Sequence, residues 1–186
     1  MTKWKKIMTK ILNNLKNVME DYKPDYSIWR EDDEDMLMLK MALDSLEVVL
    51  SRNKQCHDAL VFYVHLYADR FCPMHVAHLD DKGGNAVKMK WFGQNTNLHS
   101  VWDGKIIDSK GFTYTEYANY LHNVYGSKKK EVMKMSDEET ILLTYHVTDA
   151  IYKYHSTWNG NAYHYSYYWM DEMEWQMYTA GVKLAQ

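Results

Sequence analysis

Proline interrupts this chain of 186 residues only twice, at Pro24 and Pro73. Proline lacks the backbone donor and collides with the preceding turn, so a chain this poor in it has few segments barred from the helix. The apolar spacing fills that freedom with helical period. Residues 3–21 place Trp4, Ile7, Met8, Ile11, Leu12, Leu15 and Val18 on one face. After a break around Pro24, Ser27 is a candidate N-cap ahead of the acidic run Glu31 to Asp35, and Met36, Leu39, Leu43, Leu46 and Leu50 line a second helix. Residues 57–70 are apolar almost all round, through Leu60, Val61, Phe62, Val64 and Leu66, the pattern of a helix in the middle of a protein.

Further on, Thr113 with Glu116 and Ser136 with Glu139 are capping boxes, the first opening a helix that Gly126 should stop. The stretch from Tyr165 to Leu184 reads as a final helix after the loop Trp158-Asn159-Gly160-Asn161. The period changes once. Behind the turn Lys82-Gly83-Gly84-Asn85, Val87, Met89 and Trp91 alternate with Lys88 and Lys90, which predicts a small β-hairpin near 86–98. The expected fold class is all-α with that one hairpin, in a single domain over 1–186.

A hydrophobic content of 46% supports a packed core. The net charge of -3 gives no broad attraction to nucleic acid, so any such partner must be gripped by local groups or metal ions. No apolar run reaches the about 20 residues of a membrane span, and the basic start, Met1 to Tyr22, lacks a signal peptide's apolar stretch. Cys56 and Cys72 form no C-x-x-C pair, which argues against a thiolate zinc site; whether they pair with each other stays open.

The chemistry-bearing pattern is His65-x-x-x-Asp69 repeated as His99-x-x-x-Asp103, with His75 between. Residues four apart share a helix face, so each pair can aim an imidazole and a carboxylate at one point, a donor set that suits zinc. One such pair is commonly just a local hydrogen bond. Two copies with a third His suggest a multi-metal hydrolytic centre. His146 and Asp149 read as a local hydrogen bond, and His122, His155 and His164 as surface or ring-packed groups.

The residues around these pairs carry a resemblance. His65-Leu66-Tyr67-Ala68-Asp69, Pro73-Met74-His75, Asp81-Lys82-Gly83-Gly84-Asn85, Trp91-Phe92-Gly93 and Asn97-Leu98-His99-Ser100-Val101-Trp102-Asp103 resemble the zinc-dependent single-strand nucleases of the S-one/P-one type, which share the phospholipase C/P-one nuclease fold. The resemblance runs over roughly residues 36 to 186 and is strongest at 60–108. It implies an all-α fold with up to three zinc ions. It also implies cleavage of phosphodiester bonds in single-stranded DNA or RNA, with 3′-nucleotidase action in many members and a secreted or periplasmic location. By motif, His65 would hold one zinc of a close pair, Asp69 would bridge that pair, and His75, His99 and Asp103 would form the protein shell of the third. Asn85 would stand near the scissile phosphate, making Asp69 and Asn85 the candidate catalytic side chains.

The N-terminus departs from the family pattern. Members begin with a ligand Trp followed by a ligand His, whereas here no His precedes His57, and Trp29-Arg30-Glu31 lacks the His of a Trp-His-Tyr motif. His65 and Asp69 alone are too few to hold two zinc ions tightly; Asp58 is a candidate replacement. Two functions therefore compete: a zinc-dependent endonuclease, and a catalytically impaired relative that binds one zinc and a phosphate-bearing ligand. Lipid phosphodiester cleavage is a third option within the fold, disfavoured by the Asn97–Asp103 string.

Overall fold

The two capping boxes form as their spacing predicts. Thr113 Oγ1 accepts the Glu116 backbone N–H and the Glu116 carboxylate accepts the Thr113 backbone N–H, while Ser136 and Glu139 repeat the arrangement. Each cap satisfies donors that the first helical turn leaves orphaned. The computed structural model describes residues 34–186; the expected helix over 3–21 and the Ser27 cap lie outside the described residues.

The described chain forms two compact units divided after Asp69. In the first, α1 (Glu34–Arg52) packs on α2 (His57–Asp69). Leu39, Ala42, Leu43 and Leu46 are buried along α1. On α2, Ala59, Leu66 and Tyr67 are buried, but Leu60, Val61 and Val64 are 47%, 51% and 41% exposed. Within its unit α2 packs on α1.

In the second unit a 3-10 turn, Pro73–His75, leads through the 80–85 turns to the antiparallel hairpin β1 (Lys88–Trp91) and β2 (Gln94–Asn97). Met89 and Trp91 point inward, and Lys88 and Lys90 outward. A helical stretch follows as α3 (Leu98–Ser100), a π turn at Val101–Lys105 and α4 (Ile106–Asp108). Then come α5 (Tyr114–Tyr125), α6 (Lys129–Val132), α7 (Asp137–His155) and α8 (Ala162–Leu184). Gly126 ends α5 as expected; its φ is -58, so the chain tightens into a 3-10 turn at Gly126–Lys128 and continues as α6. Among the described residues the fold is thus all-α with one hairpin, and no helix is long and apolar enough to cross a membrane.

The core of the second unit joins Met74, Met89, Trp91, Leu98, Val101, Trp102 and Ile106 to Ile151 on α7 and Tyr165, Trp169 and Met173 on α8. Trp102 is 1% exposed, and its indole N–H donates to Tyr165 Oη at 2.8 Å, so burying it strands no donor. This packing clamps the hairpin and the π turn onto the α7–α8 pair.

Candidate metal centre

Three short segments of the second unit build the site. In the Pro73–His75 turn, residues three apart eclipse. Cys72 caps that turn, so Cys72 and His75 lie on one side of it, with the His75 N–H donating to the Cys72 carbonyl at 2.9 Å. The turn is pinned to α7 by Thr148 Oγ1, which donates to the Pro73 carbonyl at 3.0 Å. In the π turn the Ile106 N–H reaches back five residues to the Val101 carbonyl. That wider turn sinks Val101, Trp102 and Ile106 into the core and leaves Asp103 at the rim.

His75 Nε2 stands 3.4 Å from Asp103 Oδ1, with side-chain exposures of 17% and 54%. The His75 and His99 ring centroids are 5.2 Å apart. A tetrahedral zinc ion spaces its nitrogen and oxygen ligands about 3.3 Å apart, and two imidazoles bound to it would have centroids roughly 5 Å apart. The His75 and Asp103 donors fit such an ion, and the His99 ring stands beside them. His99 Nδ1 lies 2.8 Å from the Gly83 carbonyl. A carbonyl only accepts, so Nδ1 carries the proton and Nε2 presents its lone pair, the arrangement that orients a metal-binding imidazole.

Gly83 and Gly84 make that contact possible, with φ of +62 and +78. A Cβ on Gly83 would lie 2.6 Å from the Met74 carbonyl oxygen. Asp81 holds the turn together: Oδ1 accepts the Gly84 N–H at 2.7 Å, and Oδ2 accepts the Tyr152 hydroxyl at 2.7 Å. Burial pushes the Tyr152 phenol well above its ordinary range, reinforced by the neighbouring Asp81 carboxylate.

The spacing missed one donor. Among the described residues the group whose ligand atoms all lie within 4.8 Å of one another is Cys72, His75 and Asp103. His99 is beside His75 but outside that trio. Cys72 and Cys56 are both free thiols. Burial pushes the Cys72 thiol above its ordinary range, with His75 pulling the other way. The signal available was Cys72-x-x-His75, a spacing that faces two donors together on a 3-10 turn and that a search for C-x-x-C passes over.

The other expected residues are placed separately. In the first unit His65 Nε2 is 3.6 Å from Asp69 Oδ2, one helical turn apart, and their side chains are 52% and 16% exposed. Asp58 is 94% exposed and pairs with its neighbour His57 at 3.6 Å. Asn85 is exposed, its amide donating to the Lys82 carbonyl at 2.8 Å. His155 packs near Trp158, and His164 Nδ1 bonds the Tyr154 hydroxyl, the ring-packed roles expected of both.

The sequence is similar to those of known nucleases. The chain is 46% identical to Endonuclease 4 of Arabidopsis thaliana over 57 residues, 31% of this chain and 19% of the relative. It is 32% identical to Endonuclease 3 of the same plant over 102 residues, 50% of this chain and 35% of the relative. With Nuclease S1 of Aspergillus oryzae the identity is 33% over 82 residues, 39% and 28% of the two chains. The match thus spans a third or less of most of these relatives' length. A model of the S1/P1 nuclease family, however, matches residues 3–186, nearly the whole chain. With its helical fold, its hairpin and its paired His and Asp side chains, the chain belongs to the S1/P1 nuclease family.

Proposed function

We propose that this chain is a zinc-dependent endonuclease acting on phosphodiester bonds of single-stranded nucleic acid, with His75, His99 and Asp103 holding the metal. The 3.4 Å approach of His75 Nε2 to Asp103 Oδ1 carries the reading, because it matches the ligand edge of a tetrahedral ion. Zinc bound there would neutralise phosphate charge and lower the pKa of a water molecule. The chain's own groups do the rest. The Gly83 carbonyl fixes the His99 tautomer, Asp81 and Tyr152 hold the glycine turn in place, and the exposed Asn85 amide is available to a phosphate oxygen. His65 and Asp69 would hold a further ion weakly, since two protein donors make an incomplete shell.

Single-strand preference has a candidate basis in exposed rings. Phe92 at the hairpin tip is 44% exposed and meets Tyr163, 77% exposed, edge-on at 4.8 Å. Unpaired bases can stack on such faces, whereas bases inside a duplex cannot.

A second reading has its own support. Among the described residues only one group joins three donors, and it lies wholly in the second unit. That favours a relative that keeps one zinc and a phosphate-bearing ligand without turnover. Cleavage of a labelled single-stranded DNA by the zinc-loaded protein, with and without chelator, decides between them. Chelator-sensitive cutting is expected; bound zinc without cutting would leave the one-zinc binder.

A further inference from the structure

Cys72 is the donor that neither the His and Asp spacing nor the family resemblance assigns. We propose that Cys72 is a thiolate ligand of the ion held by His75, His99 and Asp103, so that the protein itself fills the fourth position of the shell. This rests on the metal reading above and changes what the site can do.

The argument is geometric. Cys72 Sγ, a ring nitrogen of His75 and a carboxylate oxygen of Asp103 all lie within 4.8 Å of one another. In a tetrahedral zinc site sulfur and nitrogen ligands are about 3.5 Å apart, so drawing these three donors onto one ion takes a side-chain adjustment on the order of 1 Å, and His99, outside that group, must swing further to join them. The 3-10 turn already sets Cys72 and His75 on one side, and the backbone bond from the His75 N–H to the Cys72 carbonyl holds them there. Cys72 is spent on no disulfide. Coordination forms one sulfur–metal bond and breaks one S–H bond, the proton passing to water, with no change of oxidation state.

Four protein donors close a zinc ion, as in structural sites, whereas a hydrolytic ion keeps a position open. Substrate phosphate would then reach this metal only by displacing Cys72. A sulfur donor also tilts the site toward zinc and other soft metals and away from magnesium or manganese.

Cobalt(II) reports the ligands directly, without reference to activity. The full chain loaded with cobalt should show visible bands of a tetrahedral ion together with a near-ultraviolet thiolate-to-cobalt band. Cys56→Ser should keep both, and Cys72→Ser should lose the near-ultraviolet band while keeping the visible ones. Visible bands without the near-ultraviolet band in the native chain, or a near-ultraviolet band surviving Cys72→Ser, overturn the thiolate ligand and leave the metal site standing. Neither set of bands overturns the thiolate and the metal reading together. Should Cys72→Ser fail to fold, the spectrum of Cys56→Ser decides alone, since Cys72 is then the one thiol in the chain.

Discussion

Gly83 has two tasks, and a methyl group would spoil both. Its carbonyl orients His99, and its φ of +62 with a Cβ position 2.6 Å from the Met74 carbonyl excludes a side chain. The left-handed conformation alone costs a non-glycine residue about 1–2 kcal/mol. Gly83→Ala should therefore weaken zinc binding by about tenfold or more, the loss typical when a ligand's supporting contact goes. Competition with a chromophoric chelator measures it, and wild-type affinity would show that this cradle does not orient His99. Tyr152→Phe removes a hydrogen bond to a carboxylate and should cost about 1.5–3 kcal/mol in urea unfolding. At this scale the spacing pointed to His75, His99 and Asp103, the resemblance grouped them, and the fold brings His75 Nε2 to 3.4 Å from Asp103 Oδ1. The spacing hid Cys72, because its value depends on a 3-10 turn that Pro73 starts and that no residue period announces.

Among elements, α8 is tied to the segment after α4 by a buried charge. Lys110 Nζ lies 2.9 Å from Glu174 Oε1, with Glu174 1% exposed and also taking the Tyr117 hydroxyl. Lys110→Met leaves that carboxylate without its cation and should cost about 3–5 kcal/mol, the usual result of breaking a buried pair from one side. Burial lowers the Lys110 pKa, but the hydrogen bond to Glu174 and the charge attraction outweigh it, so the net shift is upward. A raised lysine contributes stability fully below its unfolded pKa and loses it as pH rises through the folded value. The gap between wild type and Lys110→Met should be constant at neutral pH and narrow above about pH 10; a gap that widened there would refute the assignment. On the hairpin and α8, Phe92→Ala with Tyr163→Ala should weaken single-stranded DNA binding by about 1–3 kcal/mol per lost stacked base, with duplex binding unchanged in fluorescence titration. Caps and hairpin were readable as elements because their signals are local: Thr113 and Glu116 need only each other. The π turn was not, since Ile106 reaching back to Val101 is set by the burial of Trp102 and Ile106 against distant helices.

For the whole molecule, metal binding and stability are linked. Zinc at a hundredfold excess over its Kd should stabilise the fold by about 2.7 kcal/mol, on the order of 5–10 °C in the unfolding midpoint of a chain this size. Differential scanning calorimetry with and without chelator tests this; an unmoved midpoint argues against a built-in ion. All the proposed donors of this centre come from one stretch, residues 72 to 103, with the β1–β2 ribbon between its two ends. Such ribbons zip in microseconds and draw their flanks together with little loop entropy to overcome. Cys72, His75 and His99 can thus draw near early, whereas Asp103 waits for the π turn, which is set only once Trp102 and Ile106 are buried against α7 and α8. An ion that needs Asp103 would therefore be gripped late, slowing unfolding more than it speeds refolding.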